Sequence, residues 1–162
     1  MNFKKIITGL ALSMLLSTGM AVAADFSKGL QAAQSGDFKT ALAVWTPLAE
    51  QGNAMAQFNL GHMYANGYGV PENDKTAVKW FTKAADQGLA EGQFNLGAMY
   101  DFGDGVPQND KTAVKWYTLA SYNGSEVARE NKDAVAKQMT PADISAAQDM
   151  SSRCLENNYR DC

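Results

Sequence analysis

Apolar and small side chains recur at helical spacing through the middle of the chain. Two such stripes follow each other: Leu60, Gly61 and Tyr64 within 55–65, then Ala77, Trp80, Phe81 and Ala84. Gly67, Gly69 and Pro71 end the first helix. Asp74 is predicted as the N-cap of the second helix, which ends before Gly88. The pattern therefore predicts a pair of helices joined by a glycine-rich loop.

This helix pair occurs twice. A shift of 36 residues aligns 57–88 with 93–124, which share QFNLG, the loop glycines and NDKTAVKW. In a tandem array, each unit buries its apolar face against its neighbours. Gly61 and Gly97 lie inside helices, where glycine costs about 1 kcal/mol relative to alanine. We therefore expect close helix–helix approach at both positions.

Weaker copies of the pattern flank the two units. Residues 36–52 resemble the second helix of a unit, and 25–34 form its partner across a short turn, which predicts an N-terminal cap. After Gly124, one helix is predicted over 125–138 and a last one from Thr140 to about Leu155, with Pro141 at its first position. The predicted organisation is a single domain over 25–162, with repeats at 53–88 and 89–124 and capping segments at 25–52 and 125–162.

The first 24 residues have the features of a secretory signal. Lys4 and Lys5 precede an apolar stretch from Ile6 to Met20, and 21–24 are small residues suited to cleavage after Ala23 or Ala24. Four hydroxyl residues interrupt the stretch, which disfavours a membrane span. We therefore expect an exported protein, periplasmic or secreted, without a membrane span after cleavage.

Charge and cysteine content narrow the class of function. Removing residues 1–24 moves the formal charge from −3 to −5, and no basic cluster remains, which disfavours nucleic acid as a partner. Both cysteines, Cys154 and Cys162, lie in the last nine residues. In an oxidising compartment they are expected to form a disulfide that holds the tail. A redox or metal pair is the alternative, but their spacing matches neither C-x-x-C nor a zinc motif.

The repeated string, from QFNLG through GVP to NDKTAVKW, resembles the Sel-one-like repeat, a branch of the tetratricopeptide superfamily. With the partial copies, the resemblance covers nearly all of 25–162. It implies an all-α, right-handed α/α superhelix whose concave face, lined by the first helices, binds a protein or peptide. Exported bacterial members of this family resemble adaptors of the envelope, so a monomeric, non-enzymatic binding protein without a cofactor is expected.

The groove positions of the superfamily, transferred to this sequence, mark residues off the packing stripe. They are Met55, Phe58, His62, Asn66, Glu91, Phe94, Asp101 and Phe102. The phenylalanines would be aromatic anchors, although Phe58 and Phe94 recur identically and equally suit packing between repeats. Asp101 and Phe102 replace Ala65 and Asn66, and this variation between units is where specificity is expected.

No arrangement of residues indicates catalysis or a metal site. His62 is the sole histidine, and no serine stands three residues before a lysine. Threonine has that spacing at Thr76–Lys79 and Thr112–Lys115, which are interpreted as exposed polar positions of the second helices. The alternative function is a periplasmic enzyme that binds or hydrolyses β-lactams, by analogy with cysteine-rich relatives of this family. Those relatives carry a cysteine pair in each repeat, whereas both central units here have none.

Overall fold

The computed structural model describes residue 23, residues 25–159 and residue 162, and the regular structure within them is helical. The predicted signal segment lies almost entirely outside the described residues. The helices are α1 (25–34), α2 (Phe38–Glu50), α3 (Ala54–Asn66), α4 (Asp74–Ala85), α5 (Ala90–Phe102), α6 (Asp110–Tyr122), α7 (Glu126–Ala136) and α8 (Pro141–Glu156). The helix pairs and the helices at both ends agree with the predicted elements.

Consecutive helices pack side by side and build an α/α solenoid. From α2 to α7 each helix contacts the next, and α6 also contacts α8. The second helices contribute most of the fully buried side chains, among them Phe81 and Tyr117. The buried side chains form three core clusters that follow one another along the solenoid, and contacts between successive helices connect them.

Asparagine, not aspartate, caps the second helix of each repeat, so the prediction of Asp74 as an N-cap was wrong. The side-chain oxygens of Asn73 and Asn109 accept from the backbone N–H of Thr76 and Thr112 at 2.9 and 3.0 Å. Asp74 lies one residue later, in the first turn. There its carboxylate interacts favourably with the positive end of the helix dipole.

The glycines inside the first helices make room for an aromatic ring of the second helix, as the sequence predicted. A Cβ on Gly61 would lie 2.6 Å from ring atoms of Phe81, and one on Gly97 would lie 2.8 Å from Tyr117. The N-terminal pair has the same arrangement, because a Cβ on Gly29 would clash with the Trp45 ring. This close approach accounts for three glycines that would otherwise only weaken their helices.

Tyr159 and Cys162, in the tail that follows α8, contact α6 and the turns after α4 and α6. Cys154 and Cys162 form the predicted disulfide, with their Cα atoms 5.1 Å apart. Tyr159 lies against Gly88, and its hydroxyl donates to Asn123 Oδ1 at 2.9 Å. The disulfide thus ties the end of the tail to α8, and Tyr159 attaches the tail to the turns that follow α4 and α6.

Lys115 lies beneath this tail and is not the exposed residue that the sequence suggested. It is 4% exposed, and its Nζ donates to the Cys162 carbonyl oxygen at 2.7 Å. The same nitrogen lies 4.0 Å from the centre of the Trp116 ring. Burial lowers the pKa of Lys115 to about 8, an effect that nearby Asp86 partly opposes. Its counterpart in the other repeat, Lys79, is exposed because no tail covers it.

Candidate partner-binding face

The predicted groove residues lie on the first helices α3 and α5 and differ in exposure. His62, Asn66 and Glu91 are exposed, as are Met55 at 41% and Phe102 at 72%. Phe58, Phe94 and Asp101 are half-buried. We use the term first-helix face for the surface that these side chains share with the start of α7.

An open cleft of about 590 Å³ lies at the N-terminal ends of α5 and α7. Of the predicted residues it brings together Phe58, Glu91 and Phe94. Sequence reasoning missed the remaining walls, which include Leu89, Ala90, Asn123 and Val127. The volume lies within the range of small-ligand pockets. Five of the eleven lining residues have apolar side chains: Phe58, Leu89, Ala90, Phe94 and Val127.

Phe58 and Phe94 each pack against a buried ring of the core and also line the cleft. The Phe58 ring lies 6.0 Å from that of Phe81, and the Phe94 ring lies 5.7 Å from that of Tyr117. Because packing against a buried ring restricts each side chain, these walls are preorganised and lose little freedom when they contact another molecule.

Leu89 occupies a helix position that normally holds a polar residue. The first helices begin after Asn53, Leu89 and Ser125, which are spaced by the repeat length. Asn53 and Ser125 accept a backbone N–H with their side chains, whereas α5 has no side-chain cap. A missing cap of this type costs a helix about 1 kcal/mol.

Asp101 points to a buried partner instead of lying free on the face. The Tyr117 hydroxyl donates to Asp101 Oδ2 at 3.2 Å. Burial raises the pKa of the Asp101 carboxyl, although this hydrogen bond partly offsets the effect, and burial also raises the pKa of Tyr117. The first repeat has Phe81 and Ala65 at these positions. The second repeat thus replaces Phe81 with Tyr117 and Ala65 with Asp101, and the aspartate provides the partner that the buried tyrosine hydroxyl needs.

A second, smaller cleft of about 280 Å³ lies between the N-terminal helix pair and α3. His62 lines it, together with Phe38, Trp45 and Tyr68. The rings of Phe38 and Tyr68 stack with their centres 4.8 Å apart, and the His62 ring lies 5.8 Å from that of Tyr68. The eight predicted residues do not all line one cleft, because four of them line neither: Met55, Asn66, Asp101 and Phe102.

Two buried glutamines each link a first helix to the end of the helix before it. Gln57 Nε2 donates to the Ala49 carbonyl at 2.9 Å, and Gln93 Nε2 donates to that of Ala85 at 3.1 Å. Asn123 in turn donates to Gln93 Oε1 at 2.8 Å. Because buried amides need partners, these bonds place the turn before α7 against α5. The recurrence of glutamine in QFNLG was the signal for this role.

The structure offers little for catalysis at the positions with threonine–lysine spacing. Lys115 Nζ is directed to the Cys162 carbonyl and the Trp116 ring, and Asn109 caps the backbone of Thr112. Within the described residues, no group of three or more His, Cys, Asp or Glu side chains is placed to hold a metal ion. In the same part of the chain, no helix is long and apolar enough to cross a bilayer.

Comparison with known families explains the repeated architecture. The Sel1 repeat model matches residues 54–89 and 90–125. The chain contains two Sel1-like repeats (SLRs). The matched segments begin with α3 and α5 and extend through the second helices, so the central helix pairs are the two repeats.

Solved structures extend this SLR assignment over the flanking helices. A protective antigen present in uropathogenic Escherichia coli strains, which displays an SLR fold, superposes with a TM-score of 0.80 over 85% of this chain at 30% identity. A Sel1 repeat protein from Oxalobacter formigenes has a TM-score of 0.63 over 66% of the chain at 34% identity. This chain covers only 30% and 43% of those two proteins. No curated protein sequence matches it.

Proposed function

We propose that this SLR chain is an exported, non-enzymatic adaptor of the bacterial envelope that binds a protein or peptide on its first-helix face. The observation that carries the proposal is the open cleft lined by Phe58, Leu89, Phe94 and Val127. Its apolar walls stand at the surface, where a partner is able to cover them. Exposed apolar surface in a rigid concavity is typical of recognition sites.

The solenoid supports such a role energetically. The walls of the cleft belong to helices fixed by the buried glutamines and by aromatic packing, so binding orders few additional groups. Phe102, at 72% exposure, adds a large apolar side chain further along α5. Burial of such side chains at the centre of an interface provides much of the binding energy.

Export is the second part of the proposal. It is supported by the composition of residues 1–24 and by the Cys154–Cys162 disulfide, a bond typical of oxidising compartments. The intact mass of the protein purified from cells tests it. Export predicts a chain that begins at Ala24 or Asp25 and lacks two thiol protons, whereas a chain that retains residues 1–24 would contradict export.

Co-purification tests the binding function. Tagged wild-type protein and the Glu91→Gln, Phe102→Ala and Lys79→Ala variants are recovered from envelope extracts of the source bacterium. We expect wild type and Lys79→Ala to retain the same discrete partners, because Lys79 lies on the second helix α4. The two substitutions on the first-helix face should reduce recovery. Equal recovery by all four proteins would place the partner elsewhere and reject the proposal.

A further inference from the structure

We infer that the cleft between α5 and α7 binds an apolar side chain of a partner peptide that is followed by a lysine or arginine. This inference rests on the proposed function and specifies the ligand of that site. It depends on two positions at the start of α5, the N-cap Leu89 and Glu91, that reverse the polarity found at the start of α3 and α7.

Three first helices allow the comparison at the N-cap and two residues beyond it. In α3 the two positions hold Asn53 and Met55, and in α7 they hold Ser125 and Val127, a polar cap followed by an apolar residue. In α5 they hold Leu89 and Glu91. The middle repeat therefore has an apolar side chain where its neighbours have a cap, and an acidic side chain where its neighbours are apolar.

The packing of the core does not explain Leu89. It is half-buried, and it is not among the side chains packed against the three core clusters of the described residues. Its side chain instead lines the cleft with Phe58, Phe94 and Val127. An uncapped helix is thus combined with a larger apolar wall, which is the arrangement expected where binding is favoured at the expense of stability.

Charge identifies the second feature of the ligand. Glu91 is the charged residue among those that line the cleft. Within the described part of the chain, its carboxylate takes part in none of the ion pairs. A lysine or arginine next to the inserted apolar side chain would pair with this exposed carboxylate. An acidic neighbour would be repelled, so the cleft discriminates by charge as well as by shape.

Chemical-shift titration of the labelled mature protein tests the inference with three blocked hexapeptides. They are Ser-Gly-Leu-Lys-Gly-Ser and its counterparts with Leu-Glu or Ala-Lys at the centre. The Leu-Lys peptide should shift the amide signals of 88–91 and 124–127. We expect the Leu-Glu peptide to bind roughly two- to five-fold more weakly and the Ala-Lys peptide about ten-fold more weakly.

Substitutions of Leu89 separate a binding role from a structural one. Leu89→Asn should weaken binding of the Leu-Lys peptide about five-fold, yet raise the melting temperature by about 3–5 °C by restoring the cap. Leu89→Ala should weaken binding without that gain. Glu91→Gln should abolish the preference for Leu-Lys over Leu-Glu. Leu30→Ala, a matched change at an exposed leucine of α1, should leave binding unchanged.

Three results would overturn the inference. A lower melting temperature of Leu89→Asn would show that Leu89 stabilises the fold. Shifts confined to another part of the first-helix face, such as the surroundings of Phe102, would move the ligand site and leave the proposed function intact. No shift with any peptide would reject this ligand class, while co-purification would decide the proposed function independently.

Discussion

Replacing Lys115 with methionine should change how the stability of the fold depends on pH. Lys115 is 4% exposed, its Nζ donates to the Cys162 carbonyl, and its pKa is lowered to about 8 from an ordinary value of 10.5. Burial is the main cause of the shift, and the nearby charge of Asp86 acts in the opposite direction. Methionine has a similar length and carries no charge, so the variant removes the titration while filling the space.

The sign and size follow from proton linkage. Between the native pKa and the unfolded pKa, the unfolded chain binds more protons, so stability rises with pH through this window. Below a pH of about 8 the buried charge costs the fold about 3 kcal/mol, because one pKa unit corresponds to about 1.4 kcal/mol. As the pH rises from about 7 to about 9.5, the folded protein loses this charge and about 2 kcal/mol of the cost is removed.

Urea unfolding monitored by circular dichroism measures this effect at steps across that range. Relative to Lys115→Met, wild type should gain about 2 kcal/mol of unfolding free energy as the pH rises. The range stops below a pH of about 10, because burial raises the pKa of Tyr117 and ionisation of this tyrosine in the unfolded chain would then lower stability. Lys79→Met, at the exposed counterpart, should follow the wild-type curve.

Parallel curves for wild type and Lys115→Met would refute the reasoning. They would mean that Lys115 titrates alike in both states, so that its contacts with Cys162 and Trp116 fully compensate for burial. If the unfolding free energy of Lys79→Met rose more steeply with pH than that of wild type, another group would control the pH dependence.

Three further predictions concern the packing of the helices and the tail. Gly61→Ala should lower the unfolding free energy by about 1–3 kcal/mol, because its Cβ would overlap Phe81. In urea melts, adding Phe81→Leu should largely remove this penalty. If the effects of the two substitutions simply add, the packing explanation is wrong. Asp101→Ala should cost about 1–3 kcal/mol by leaving the Tyr117 hydroxyl unpaired. The double variant with Tyr117→Phe, which reproduces the first-repeat pair, should regain most of that loss in thermal melts, and no recovery would refute the coupling. Replacing Cys154 and Cys162 by serine should cost about 2–3 kcal/mol and increase amide hydrogen exchange of α8, whereas unchanged stability would show that the tail is held without the disulfide.

The repeat architecture was predictable because it rests on local rules that recur along the chain. Helical spacing, loop glycines and the shift of 36 residues gave the helix pairs and the boundaries of the final helix within a few residues. The clash that a Cβ on Gly61 or Gly97 would make explains why a glycine is retained inside a helix. The cap differed from the prediction because Asn73 and Asp74 are both good N-caps, and the backbone geometry at Asn73 decides between them.

Features that depend on contacts distant in sequence were not predictable. Lys115 and Lys79 stand in identical local sequences, and the fold-back of the tail onto one of them determines which is buried. The hydrogen bond from Tyr117 to Asp101 joins two helices and was not foreseen, and the role of Asp101 in specificity stays a prediction. Leu89 was overlooked because the sequence does not show that it shares a cleft with Phe58, Phe94 and Val127. Only the fold brings these four residues together.

Site-specific photocrosslinking in cells is the measurement that tests the central claim most directly. A photoreactive amino acid is placed at position 91 or 102 on the first-helix face, and at position 79 on the exposed side of α4. Binding on the first-helix face predicts discrete crosslinked partners from 91 and 102, absent from 79. The same partners captured with equal yield from position 79, or none from any position, would contradict it.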